Sequence, residues 1–323
     1  MLVTDDAYFR GDKVLNLVLS NPTKASLGNQ NTATLTILDN DTGTASTNPL
    51  DNADARFLVR QQYYDFLSRL PEQGGFDYWS GQITQCGADP ICILNRRIAV
   101  SNAFFYELEF QQTGSYVFRL YRAAFGNNQP FPNPDNSNQS ESNKLPGYAV
   151  FARDRARVVG GANLAQGQLD LANVFVTRPE FLAKYPASQD GPTFVDAQLA
   201  NIKNELGVDL TSQRTALINL FNSGGRGGAI YRLVDDNMQT NPINNRPLID
   251  EEYNRGFVFT QYAGYLRRDS DIGGFLFWLG QVNRYPLRNG DAQHAMVCSF
   301  ITSDEYQQRF SSVVTHHNSE CPQ

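Results

Sequence analysis

From Asp54 onward the apolar positions recur at helical spacing. In "ARFLVRQQYYDFLSRL", Val59, Tyr63, Phe66, Leu67 and Leu70 form one stripe. Further helix-like runs near 147–158, 163–177, 192–206, 211–222, 226–237, 249–268, 274–284 and 290–310 are separated by Gly or Pro stops. Residues 1–41 follow a different rule. "VLNLVLS" sets Leu15, Leu17 and Leu19 on one face, and "ATLTILD" does the same with Ala33, Leu35 and Ile37. A period of two predicts half-buried strands, and the intervening "NPTKASLGNQN" is rich in turn formers. Two or three strands do not make a stable sheet with a buried face on their own. The chain is therefore expected to begin inside a domain, or to have the missing strands supplied by a partner.

The pattern predicts a mainly α protein: multi-helical, repeat-like modules behind a short N-terminal antiparallel β remnant, part of a β-sandwich. The expected divisions are a β segment over 1–41, a small and polar linker over 42–53, a helical module over 54–126, a Pro/Asn/Ser-rich loop over 127–147, a second module over 148–188, a third over 189–312 and a polar tail over 313–323.

One phrase is written twice. "QGGFDYWSGQI" from Gln73 and "IGGFLFWLGQV" from Ile272 share Gly-Gly-Phe, Trp and Gly-Gln, and they hold the only two tryptophans, Trp79 and Trp278. At the same offset of 199 residues, Val59 meets Val258, Tyr63 meets Tyr262, Leu67 meets Leu266 and Arg69 meets Arg268. A weaker third head, "YVFRLYRAAFG", sets Val117, Tyr121 and Phe125 where Val59, Tyr63 and Leu67 fall. A tail recurs as well. "FVTRPEFLAKY" from Phe175 aligns with "FITSDEYQQRF" from Phe300, and "VSNAFFYEL" near Val100 is a third copy. The expected unit is a head helix, a turn, a Trp-bearing helix and a tail. Gly74–Gly75 and Gly273–Gly274 would permit a positive-φ turn or close approach of the next helix. Trp79, Trp278, Tyr63 and Tyr262 are expected as structural core.

The chain carries 27 Lys and Arg against 33 Asp and Glu, for a net charge of −6. That balance speaks against a nucleic-acid binder, which presents a basic face. No apolar run approaches the ~18 residues of a transmembrane helix, and no signal peptide is visible at the start. Of the four cysteines, Cys86 and Cys92 bracket "GADPI" at a spacing that suits either a local disulfide or two free thiols. That spacing is not a CxxC zinc motif. Cys298 lies in an apolar helical run and reads as core, with a bond to Cys321 open.

"FVFTQYAGYLRRDSDIGGFLFWLGQVN", followed by "AMVCSFITSDEYQQRF", resembles the bacterial domain-of-unknown-function family 4214. The resemblance covers 256–310 and 54–110 best. It implies helical modules similar to phycobilisome linker domains, found in large secreted and surface proteins, and it brings no catalytic residues. "VTDDAYFRGDKVLNLVLSNPTKASLGNQNTATLTILDND" resembles the second half of a Calx-beta domain, a calcium-associated β-sandwich of surface and adhesion proteins. The resemblance makes Asp5, Asp6, Asp39 and Asp41 candidate calcium ligands; Arg10 and Lys13 stand where that family has glutamates.

Other chemistry is sparse. Asp269, Asp271 and Gly273 open like a calcium loop, but the first copy has Leu70 at the first of these positions, so a capped turn serves both copies better. "SGGRGGAIYR" from Ser223 lacks the Lys-Ser/Thr pair of a phosphate loop and reads as a helix–helix turn. His294 reads as structural; His316 and His317 fall in a tail of the kind that is often disordered. Asp235–Asp236 and Glu251–Glu252 read as solvated faces or caps. The expected role is non-enzymatic: an extracellular or cell-surface scaffold or adhesion segment, meeting a protein or a surface polysaccharide. A carbohydrate-binding module and an uncharacterised hydrolase are the alternatives.

Overall fold

The computed structural model describes residues 12–20, 22, 26–39, 46–237 and 239–321. It is mainly helical, with one two-stranded antiparallel sheet near its start. Strands β1 (Lys13–Val18) and β2 (Thr32–Ile37) pair with Leu15 opposite Leu35 and Leu17 opposite Ala33. The register gathers Leu15, Leu17, Ala33 and Leu35 on one face as the alternation predicts, with Val14 and Val18 on the other. The expected burial is corrected: Leu15, Leu17, Leu19 and Leu35 are all exposed. Two strands alone cannot supply the second layer that would cover them.

The first unit comprises α1 (Ala55–Gln62), α2 (Gln73–Thr84), α3 (Pro90–Ala103) and α4 (Leu108–Gln112). Asp54 caps α1 by accepting from the Arg56 N–H, and Asp89 caps α3 ahead of Pro90 at its first position. Helix α1 runs on into a π-helical turn over Tyr63–Leu67, and Ser68 ends it in the left-handed region at φ 53°. The middle of the chain holds α5 (Gly114–Phe125), the short α6 (Gln139–Ser142), α7 (Tyr148–Arg155), α8 (Leu164–Phe175), α9 (Pro179–Lys184), α10 (Gly191–Leu206) and α11 (Arg214–Val234). The last unit is α12 (Arg246–Gln261), α13 (Ile272–Val282), α14 (Gly290–Ile301) and α15 (Asp304–Gln307). Helix α12 repeats the ending of α1: a π-helical turn over Tyr262–Leu266, then Arg267 at φ 53°. The head helices therefore stop at Leu67 and Leu266.

Helix α5 is the hub. Every one of its residues is buried, and α4, α7, α10, α11 and α12 all pack on it. Its two arginines are satisfied inside the protein. Arg122 makes a two-pronged pair with buried Glu252 on α12, at 2.9 and 3.1 Å, and donates to the carbonyls of Gly126 and Lys144. Arg119 donates to the carbonyls of Val234 and Gln111. The long polar loop after α5 is thereby held: Gln129 N–H meets the Asn143 carbonyl at 2.9 Å, and Gly147 N–H meets the Phe131 carbonyl at 2.8 Å. Most of the large buried side chains of the helical units join one continuous core.

The first and last units meet through equivalent positions. Phe66 and Tyr265 occupy the same place in the two π turns, and their rings pack edge to face at 4.8 Å. Helices α3 and α14, also equivalent, contact each other directly. Gly264 is needed at this junction, because a Cβ there would strike the Phe66 ring.

Candidate functional site

The repeated phrases build a joint between helices, and the same joint occurs three times. Tyr63 packs edge to face on Phe104 at 5.1 Å, Tyr121 on Phe175 at 5.1 Å, and Tyr262 on Phe300 at 4.9 Å. In each case a head-helix tyrosine meets the first aromatic of a tail. In the outer copies tryptophan joins the cluster: Trp79 lies 5.6 Å from Phe104 and Trp278 lies 6.1 Å from Phe300. Both indoles are half-buried, packed against the core from its edge. The residue before each tryptophan, Tyr78 or Phe277, is exposed and sets its ring against the indole at 4.8 or 5.1 Å.

The glycine pairs divide their labour. Gly74 and Gly273 have open space around them. Gly75 and Gly274 lie under the hydroxyls of Tyr63 and Tyr262, where a Cβ would collide. None of the four has positive φ, so close approach is the reason for glycine, and only at the second position of each pair. Burial first, then the Glu72 carboxylate, pushes the Tyr63 hydroxyl up to about 12, and burial raises Tyr262 likewise.

A guanidinium–carboxylate clamp closes each outer joint. Arg69 pairs with Glu109 and Glu72, and Arg268 pairs with Glu305 at 2.5 and 2.9 Å. Each arginine also lies over its joint tyrosine, Arg69 at 4.8 Å and Arg268 at 5.5 Å. The middle joint replaces this clamp with a buried one. Tyr121 donates to Asp154 at 2.7 Å, and Asp154 accepts from Arg178 at 2.6 and 2.8 Å.

The remaining candidates are placed as follows. Asp5, Asp6 and Asp41 lie outside the described residues; the Asp39 N–H donates to Asp12 at 2.9 Å. Among the described residues no group of three or more His, Cys, Asp or Glu side chains is placed to hold a metal ion. The Asp269–Gly273 stretch is a capped turn: Asp269 accepts from the Tyr148 N–H at 2.6 Å, and Asp271 from the Gly274 N–H at 2.7 Å. "SGGRGGAIYR" lies within α11 at a kink where Gly225 has φ 64°. There Arg226 donates to the carbonyls of Tyr185, Pro186 and Gln189. His294 is half-buried on α14, its pKa lowered by burial against the opposing Asp291.

Two readings are corrected. One carboxylate of each adjacent acidic pair is buried: Glu252 against Arg122, and Asp235 against Arg232 at 2.8 Å. On α12 adjacent residues point different ways, so Glu252 faces inward while Glu251 stays wet, and Asp235 turns inward just past the end of α11. The C-terminal segment is also pinned down. His316 bridges Asp51 at 3.0 Å and Glu320 at 2.8 Å, and Cys321 is bonded to Cys298. The Asp51 hydrogen bond, opposed by burial and helped by Glu320, holds the His316 pKa above its ordinary value. Cys86 and Cys92 form the other disulfide, so the described cysteines are all paired. Among the described residues no helix is long and apolar enough to cross a membrane.

No family model matches the chain, and neither a curated protein nor a solved structure matches it.

Proposed function

We propose that the chain is a non-enzymatic scaffold or adhesion segment of an extracellular or cell-surface protein. In this reading it consists of helical modules of the family-4214 kind following part of a Calx-beta-like domain. One observation carries the proposal. The residues written more than once along the chain are spent on one another: tyrosine on phenylalanine, arginine on glutamate, glycine under a tyrosine hydroxyl. Repetition of this kind preserves fit between helices. Two disulfides support an oxidising compartment. The partner in this reading is a protein or a surface polysaccharide, and any calcium would belong to the β segment.

The test is made on intact cells producing the protein. A membrane-impermeant amine label should reach it, and denaturing thiol titration should find no free cysteine before reduction. A label-inaccessible protein with reduced cysteines would reject the assignment. Carbohydrate binding is a second reading, favoured by the place of Trp278 at the edge of a cavity.

A further inference from the structure

The two outer joints share their plan but differ in access. In the first, the Arg69 and Glu109 side chains are 18% and 22% exposed, Leu67 is buried, and the segment leading to α8 closes over them, with Gly160 set directly against the Glu109 carboxylate. In the last, the Arg268 and Glu305 side chains are 40% and 46% exposed and Leu266 is only half-buried. Beside this open clamp lies a cavity of about 180 Å³. Trp278, Tyr262 and Phe300 form its aromatic side; Arg268, Asp271 and Glu305 bring charge; Ser299, Ser303 and Asn318 bring neutral polar groups. When the tails are aligned on Phe104 and Phe300, Ala103 and Glu107 stand where the last copy has Ser299 and Ser303. The last copy thus carries two small hydroxyls at the edge of its hollow where the first copy has a methyl and a carboxylate.

We propose that this cavity binds one neutral hexose unit of a polysaccharide. The chemistry of the wall selects that class. An aromatic ring accepts the C–H face of a pyranose, since its π face carries partial negative charge. Carboxylates, an amide and a guanidinium on the rim offer both acceptors and donors to ring hydroxyls. Two carboxylates against one guanidinium leave the rim net negative, which disfavours phosphate or uronate. The volume lies below the ~300 Å³ at which pockets for drug-sized ligands begin, so it suits a single ring. This assignment rests on the carbohydrate reading above and can fail without the scaffold reading failing, because the joint packs whether or not the hollow is filled.

Tryptophan fluorescence tests it. Trp79→Phe leaves Trp278 as the sole tryptophan, in the full chain with both disulfides intact. The probes are the methyl glycosides of glucose, galactose, mannose and N-acetylglucosamine, a tetrasaccharide of whichever sugar binds, and inorganic phosphate. At least one glycoside should shift the emission saturably with a Kd near or below the millimolar range, and phosphate should not. Ser299→Leu, which fills the hollow from α14 without touching a helix cap, should weaken that response at least tenfold while the melting curve stays cooperative. Equal or tighter binding of the tetrasaccharide supports a polysaccharide unit. Binding of the glycoside alone overturns the polysaccharide assignment and leaves a free-sugar site. No saturable shift with any of the four glycosides, or a response indifferent to Ser299→Leu, overturns the site.

Discussion

Asp65 and Arg309 are 244 residues apart in sequence and joined by two hydrogen bonds, at 2.8 and 3.1 Å. Asp65 belongs to the π turn that ends α1; Arg309 follows α15. The carboxylate is fully buried, and Arg267 reaches it from the other copy of the same turn at 2.8 Å. Arg155, half-buried nearby, has its pKa lowered to about 10 by burial, with the Asp65 charge opposing the shift.

Removing that charge should be costly. Asp65→Ala leaves the Arg309 charge with only the Gly264 and Tyr265 carbonyls as partners, and breaking a buried pair in this way typically costs ~3–5 kcal/mol. Urea unfolding should show this loss. Arg267→Ala, whose side chain is about half exposed, should cost ~1 kcal/mol or less. Equal losses for the two would refute a buried clamp centred on Asp65.

The glycine pairs predict an asymmetry. Gly74→Ala and Gly273→Ala sit in open helical positions and should be neutral or stabilising by up to ~1 kcal/mol. Gly75→Ala and Gly274→Ala push a methyl into a tyrosine hydroxyl and should destabilise by ~1–3 kcal/mol. Thermal melts of the four variants check this, and pairing Gly75→Ala with Tyr63→Phe should recover part of the loss.

The two disulfides should differ in weight. Cys298–Cys321 closes a separation of 23 residues and Cys86–Cys92 one of 6. Loop entropy alone assigns about 3 kcal/mol to the longer and about 2 kcal/mol to the shorter. Double serine replacement at each pair, followed by chemical denaturation, should rank them in that order, with the longer loop also releasing the C-terminal segment to protease.

His316 predicts a pH dependence of defined sign. Its folded pKa is raised by Asp51 and Glu320, so the folded state holds its proton more tightly than the unfolded state does. The stabilisation is therefore complete below the unfolded value near 6.5 and fades as pH rises through the higher folded value. His316→Gln should flatten that part of the stability–pH curve; an unchanged curve would contradict the bridge.

Helices and their repetition were legible because both rest on local signals: apolar spacing, capping acids and the paired glycines. The third joint was legible too, since Tyr121 and Phe175 stand in register with their counterparts. Pairings made by distant chain segments were not. Glu252 reads like any wet acid beside Glu251 until α5 brings Arg122 to it across 130 residues. The partner of Cys298 was equally open, because a separation of 23 residues has no spacing rule. The π turns left no trace in composition: "YYDFL" and "YAGYL" share only their ends. The strands illustrate the opposite limit. Their alternation was read correctly, but alternation says which side is apolar and not whether anything covers it.

The contact of Phe66 with Tyr265 has a wider implication. A surface that meets its own duplicate is self-complementary, the geometry by which separate identical subunits form twofold dimers. Here both halves are tethered on one polypeptide, so the local concentration of one for the other is fixed and the pairing survives any dilution. Tethering also frees the halves to drift apart: Asp65 in one half and Gly264 in the other now play unlike parts in one shared seam, a division that two identical subunits could not have made.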